Sequence, residues 1–439
     1  MDDKVAELQN AIIASDVPQI AANVVNAAID IGSSDIHIEP SEYTIRIRFR
    51  VDGILRPIVE YPPSLHAAIV SRLKIMGNLK IDESRIPQDG RVQVTTPEGR
   101  ELDLRLSTLP TVHGEKIVMR LQDRSRKIPK LEELGIEPHN LKILKRAIAA
   151  PNGILLTTGP TGSGKTTTLY SCLDILNTPE VNIMTIEDPV EIQMDGLNQS
   201  QVHPAIDYTF AFGLRTGLRQ DPDIMMVGEI RDRETIEVAI EAALTGHLVL
   251  STIHTNSAVS TITRLLDMGA AAFLITATVN AIIAQRLVRK ICEKCKTETK
   301  IKPAIEQKLH NAIETMNAEQ REKLGLNDGK PLKIYHGEGC EECGHTGYKG
   351  RIGLYEILEM SNAIKDLILK NGTPLDIEKK AIEEGMKTLE HDGVEKILAG
   401  ITTPEEVYSV ARATEEEHED AETNELESIS EPKNPEPKK

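Results

Sequence analysis

Between Ile45 and Val51 the chain alternates strictly: Ile45, Ile47, Phe49 and Val51 are apolar, and Arg46, Arg48 and Arg50 lie between them. A period of two predicts a strand with one basic face, and Asp52-Gly53 predicts a hairpin turn after it. That basic face is either solvated or part of an interface. Upstream the period changes. Ile20, Val24, Val25, Ala28 and Ile29 form a helical stripe beginning near Val17-Pro18, capped by Ser15 or Asp16 and stopped at Gly32. Residues 1–16 read as a short polar lead with some helical character. A further helix is expected over 64–80, and strands at RVQV, ELDLRLSTLP and EKIVMRL between Arg91 and Arg120. Residues 17–122 therefore predict an α+β domain. The polar stretch 123–130, with Pro129, predicts a linker.

After it, apolar runs at 153–158, 182–187, 223–228 and 247–252 alternate with helical segments. That is the pattern of a parallel sheet covered on both faces, here spanning 131–291. The aliphatic stretch from 270 to 290 predicts a long helix running directly into Cys292. Residues 296–339 read as a charged excursion, helical over 303–324, with little core of its own. RIGLYEIL (351–358) returns to strand. Helix starts at Ser361, Thr373-Pro374 and Thr403-Pro404 make 351–413 a helical portion, and the Glu- and Pro-rich stretch 414–439 predicts a disordered acidic tail.

Composition narrows the function classes. With 40% apolar but only 3% aromatic residues and no tryptophan, the cores must be aliphatic. A net charge of −17 argues against nucleic acid as the main partner, because phosphate backbones select clustered lysine and arginine. The sequence has neither a signal peptide nor an apolar run long enough to span a bilayer, so a cytosolic location is expected.

The chemistry concentrates after the 153–158 strand. Gly159, Pro160, Thr161, Gly162, Ser163, Gly164, Lys165, Thr166 and Thr167 fit the G-x-x-x-x-G-K-[ST] phosphate loop between a strand and a helix. Glycines let backbone N–H groups converge on phosphate, Lys165 reaches the β- and γ-phosphates, and Thr166 holds Mg²⁺. ATP and Mg²⁺ are the implied cofactors. Glu229, lifted by IMMVGEIRD, is the candidate for orienting or deprotonating an attacking water. Glu187 ends another strand and is a further candidate for the nucleotide site. His254 follows the 247–252 strand and is read either as a group that senses the γ-phosphate or positions water, or as a structural histidine; His247, which begins the same strand, is a candidate for the nucleotide site or a structural histidine. Arg215 and Arg219, spaced one helical turn apart, are candidates for neutralising phosphoryl charge, with ion pairs to Asp221 or Asp223 as the alternative. Cys172 reads as a small buried hydrophobe.

Cys292 and Cys295 form one C-x-x-C pair, and Cys340 and Cys343 another, with residues 296–339 between them. Four thiolates predict a closed, structural zinc site in segment 292–350.

In order and spacing, SSDIHIEP, RFRVDG, QDGR, the phosphate loop, TIEDPVE, LRQDPD, GEIRD, TGHLVLSTIHTN, AQRLVRKIC and GCEECGHTGYKGRIGLYEIL resemble the secretion ATPase superfamily, specifically the type II secretion and type IV pilus assembly ATPases. The resemblance runs from Val17 to Ala411. It implies an α/β fold: a RecA-like P-loop ATPase core, an N-terminal α+β PAS-like domain and a tetracysteine zinc subdomain. It also implies a homo-hexameric motor at the cytoplasmic face of the inner membrane, held there peripherally through partners. Such a motor drives pilus assembly, or pseudopilus assembly in type II secretion, through an inner-membrane platform protein. Arg105 and Arg120 resemble the arginines by which the N-terminal domain closes on nucleotide. A retraction motor typically lacks the tetracysteine insertion, and a nucleic-acid translocase is disfavoured by charge. Members with membrane-anchored docking partners carry further N-terminal domains, whereas the PAS-like region here begins near residue 17. Either the chain is a piece of a longer protein or recruitment differs.

Overall fold

The computed structural model describes residues 2–95, 101–123, 127–324 and 332–410. Residues 124–126 of the expected linker and the expected acidic tail lie outside the described residues. The chain divides into two units, 1–127 and 128–439.

In the first unit, Ser15 at positive φ separates α1 (Asp2–Ile13) from α2 (Val17–Ile31), and Asp16 accepts the Gln19 N–H as its cap. The expected lead is not separate: Leu8 and Ala11 of α1 are buried in the same core as Ile20 and Val24. Strands β1 (Asp35–Pro40), β2 (Ile45–Val51) and β3 (Ile54–Tyr61) precede α3 (His66–Met76). Strands β4 (Gln88–Thr95), β5 (Glu101–Thr111) and β6 (Gly114–Asp123) complete a six-stranded sheet in the order β3-β2-β1-β6-β5-β4. Alternation in β2 has its expected result, since Ile45, Ile47 and Phe49 are fully buried.

The second unit opens with α4 (Pro138–Ile148). It is built on β7 (Gly153–Thr158), α5 (Lys165–Leu176), β8 (Ile183–Glu187), β9 (Leu197–Gln201), α6 (Phe210–Gly217), β10 (Ile224–Val227), α7 (Arg233–Leu244) and β11 (Leu248–Ile253). There follow α8 (Ala258–Asp267), α9 (Ala272–Thr278) and β12 (Val279–Ile291). The tetracysteine segment holds β13 (Lys296–Thr299), α10 (Pro303–Thr315), α11 (Ala318–Lys323) and β14 (Ile334–Gly337). Then come β15 (Tyr348–Glu359), α12 (Asn362–Leu369), α13 (Pro374–Glu383) and α14 (Leu389–Leu398). The seven-stranded sheet has the order β15-β12-β7-β11-β10-β8-β9. All its pairings are parallel except β12 with β15. Ile154 and Leu156 of β7 face one core and Leu155 the other, so helices cover both faces.

Two expectations need correction. The stretch 270–290 is not one helix: α9 ends at Thr278, and β12 continues into the cysteines as a strand beside β7. Its run is buried on both faces, which erases the alternation that marks a half-exposed strand. The excursion 296–339 does have a core. Leu309, Ala312, Ile313, Met316 and Ile334 pack with Val288, Leu354, Val394, Ile397 and Val407.

Candidate functional site

β7 delivers the chain to Gly159, where φ is +144° and an added Cβ would lie 2.4 Å from the Gln285 carbonyl oxygen. Gly164 repeats the constraint at φ +91°, with the Gln285 amide 2.7 Å from an added Cβ. Only glycine fits either position. The turn thus lies directly against β12, and α5 begins at Lys165. The Lys165 ammonium is buried and donates to the carbonyls of Gly159 (2.6 Å) and Pro160 (3.1 Å). Burial, opposed by Glu229 and reinforced by Arg286, pulls its pKa down to about 8. The Ser163 hydroxyl is buried in the loop with no partner among the described residues. Thr166 follows Lys165 in the first turn of α5. These residues fit a triphosphate and its Mg²⁺: the loop has an uncommitted hydroxyl, a cation and a helix N-terminus.

Parallel β10 and β11 bring two more groups to the same end of the sheet. Glu229, nearly buried, pairs through Oε1 with Arg231. Its Oε2 lies 3.3 Å from His254 Nε2, but no donor among the described residues is aligned on it. Burial, with Lys165 and Arg231, lowers the His254 pKa against the pull of Glu229, so the imidazole is neutral near pH 7. Asp232 caps α7 by accepting the Thr235 N–H, which fixes the backbone just beyond Glu229.

Other sequence candidates are either committed to other partners or placed elsewhere. Glu187 is buried and accepts from Tyr170 (2.7 Å), Thr185 (2.5 Å) and Gln199 (3.3 Å), so its carboxylate is already committed to the interior. Burial pushes its pKa up while those donors oppose the shift. His247 is a correction. Its carbonyl accepts from Gly153 N–H at the start of β7, the edge opposite the loop, about 20 Å away at roughly 3.3 Å per strand residue. Arg215 pairs with Glu234 on an exposed surface, and Arg219, past the end of α6, donates to the Arg215 carbonyl. Neither of the expected partners, Asp221 or Asp223, is the observed one; the Asp223 carboxylate accepts from Asn182 N–H. Cys172 is fully buried on α5, as its reading required.

Gln285 and Arg286 entered the sequence reading only within the motif AQRLVRKIC, with no role assigned. Gln285 accepts from Thr168 of α5 at 2.8 Å, and Arg286 is buried beside Gly159. The run AQRL could have revealed them only if 279–291 had been read as a strand.

In the first unit, Arg50, Asp35, Arg120, Arg105 and Arg91 occupy directly paired positions on β2, β1, β6, β5 and β4. Asp35, buried, pairs with Arg120 at 2.9 Å and Arg50 at 3.6 Å.

A family model described as "Type II/IV secretion system protein" matches residues 11–409. This chain belongs to that family. The type II secretion system ATPase E of Vibrio cholerae is 46% identical over 385 residues, covering 88% of this chain and 73% of that one. The type IV pilus assembly ATPase PilB of Thermus thermophilus is 49% identical over 380 residues, 86% of this chain but only 41% of its own length. Among solved structures, the pilus retraction motor PilT with bound ADP has a TM-score of 0.57 at 26% identity, covering 88% of this chain and 95% of that one. The Legionella pneumophila ATPase DotB has a TM-score of 0.62 at 23% identity, with coverages of 89% and 95%, and shows the fold alone. The family member is accordingly an ATPase with a mixed α/β fold.

In this ATPase the four cysteine sulfurs converge to within 4.8 Å of one another. Sγ–Sγ separations are 3.8 Å for Cys292–Cys340, 3.9 Å for Cys295–Cys343 and 3.8 Å for Cys340–Cys343. A tetrahedron with Zn–S of about 2.3 Å has edges of about 3.8 Å. The backbone N–H groups of Cys340 and Gly347 each approach Cys343 Sγ at 3.2 Å, donors suited to a thiolate. The donor set fits zinc. No helix among the described residues is long and apolar enough to cross a membrane.

Proposed function

We propose that this ATPase drives type IV pilus assembly at the cytoplasmic face of the inner membrane, coupling hydrolysis to filament growth through a membrane platform protein. The observation that carries the hydrolytic reading is Glu229. It is a nearly buried carboxylate beside the phosphate-loop lysine, with one oxygen paired to Arg231 and the other left without an aligned donor. Oε2 accepts the proton of the attacking water or orients it, and neutral His254 at 3.3 Å holds that oxygen's partner in line. Lys165 exchanges its two carbonyls for phosphate oxygens, and the Ser163 hydroxyl and loop amides hold the phosphate chain. When bound, Mg²⁺ supplies charge neutralisation at the phosphates, with Thr166 as its protein ligand. Zinc on Cys292, Cys295, Cys340 and Cys343 is structural, since four thiolates leave no open position.

The active unit is a homo-hexamer held peripherally at the membrane by its partners. Arg105 and Arg120, directly paired on β5 and β6, supply charge to the nucleotide phosphates. Arg215, paired with Glu234, and Arg219 are both exposed, and any catalytic use of them falls to a neighbouring copy. Type II secretion is the second reading, because the secretion and pilus relatives match at nearly the same identity. Pairwise interaction tests against platform proteins of both machines decide. Capture of the pilus platform supports the proposal, capture of the secretion platform alone moves it to the second reading, and capture of neither overturns it.

A further inference from the structure

β12 pairs with β7 as far as Ala284 opposite Thr158, so Gln285 and Arg286 stand level with the point where the phosphate loop leaves the sheet. Arg286 is 4% exposed. Its Nη1 donates to the Gln285 carbonyl and lies 3.0 Å from where a Cβ on Gly159 would be. Its Nη2 donates to the Asn256 carbonyl (2.9 Å) and approaches Asn256 Oδ1 (3.4 Å). Asn256 lies two residues beyond His254, in the loop after β11. β11 and β12 flank β7 on opposite sides, so the guanidinium passes beneath the phosphate loop from one neighbour to the other. A second tie runs alongside: the Thr158 hydroxyl is 2.6 Å from that of Thr255 and accepts the Thr255 N–H at 2.8 Å. Beyond Asn256, Ala258 N–H, at the start of α8, donates to the buried Glu356 of β15. A buried guanidinium is costly unless its planar fork is used, and here both ends of the fork are.

We propose that Arg286 is a positioning residue that holds the His254 loop to the part of β12 against which the phosphate loop packs, so that His254 meets Glu229 only while that tie is made. The proposal rests on the reading of Glu229 and His254 given above. Arg286 does not touch the nucleotide in this account; its effect reaches the reaction through His254. Its charge also faces Lys165 together with Glu229 and His254, and it contributes to lowering the Lys165 pKa.

The test is a double-mutant cycle on ATP hydrolysis with Arg286→Gln, His254→Ala and the double variant, alongside binding of a fluorescent ATP analogue. Arg286→Gln is expected to lower kcat about tenfold or more while KM for ATP changes less than about threefold. In the His254→Ala background the same change is expected to cost less than about twofold. Arg286→Lys, which keeps the charge but not the fork, is expected to leave kcat low while leaving the alkaline limb of kcat/KM where it is in the wild type. Arg286→Gln is expected to shift that limb upward. An equal loss in both backgrounds marks a purely structural role and overturns the proposal, as does a rise in KM alone. If Arg286→Gln does not fold, the cycle run with Arg286→Lys decides by the same criteria. Glu229→Gln is run in parallel: wild-type turnover there refutes the reading of the site, whereas a failed cycle with inactive Glu229→Gln refutes this inference alone.

Discussion

At Lys165 the ammonium needed for phosphate binding is held at a pKa near 8, chiefly by burial. The charged form binds triphosphate, so ATP affinity should be full below about pH 8 and fall as pH rises through that value. A nucleotide titration from pH 6.5 to 9.5 checks this, and affinity unchanged to the top of the range would contradict the assignment. Lys165→Ala should weaken binding roughly tenfold to a hundredfold, the loss of about 1.5–3 kcal/mol expected for a charged hydrogen-bonding group. Glu229→Gln should bind ATP normally yet lose about a hundredfold in turnover. These residues were legible because the loop, IMMVGEIRD and the end of β11 each put their chemistry beside a recognisable strand end. His247 stood as a candidate for the nucleotide site although it begins its strand. A parallel strand carries its first and last residues to opposite edges, and only its last shares an edge with the loop. Glu187 sits at the right edge, but Tyr170, Thr185 and Gln199 claim its carboxylate, which no sequence pattern announced.

At the scale of elements, β12 was the main loss. Val279, Ala281, Ile282, Ile283 and Ala284 are all buried, so apolar residues occur without period and length favoured a helix. With the strand went Gln285 and Arg286. The antiparallel return of β15 brings Glu356 beneath two helices, where it accepts from Ala258 N–H (2.7 Å) and Leu389 N–H (3.3 Å) at the starts of α8 and α14. Loss of both contacts in Glu356→Ala should lower stability by about 1–3 kcal/mol, measured by denaturant unfolding of a two-state segment or by Tm. A change below about 0.5 kcal/mol would mean that the contacts do not cap. The tetracysteine segment was legible as a cluster able to hold a metal but not as a packed one. Because Leu309, Ile313 and Ile334 share a core with Val394 and Ile397, zinc loss should loosen 292–352 without unfolding it completely. Purified protein should carry one zinc per chain. In Cys340→Ser, hydrogen exchange should rise across 292–352 and stay slow in β7 and β8. Protein free of zinc without exposure to chelator would remove this account of the cysteines.

For the whole molecule, the order of strands and helices after residue 131 specified the parallel sheet. Its seven-stranded extent depended also on β9, which was not read, on β12, which was misread, and on β15, which was read only in part. Assembly is the level at which the remaining arginines acquire a use. Arg215 and Arg219 are turned to surface, and Arg105 and Arg120 belong to the other unit of the chain. The proposed catalytic use of these arginines requires a ring, whereas surface ion pairs alone would contribute about 0–1 kcal/mol each and leave turnover untouched. Arg105→Ala and Arg120→Ala should therefore cut turnover sharply with fold and zinc content intact. The most direct measurement is specific ATPase activity as a function of protein concentration, with sedimentation velocity on the same samples in the presence of Mg²⁺ and ATP. Activity per chain should rise steeply with the fraction of chains in a species of about six copies and fall toward zero at high dilution. Full activity per chain from a strictly monomeric protein would contradict the motor account.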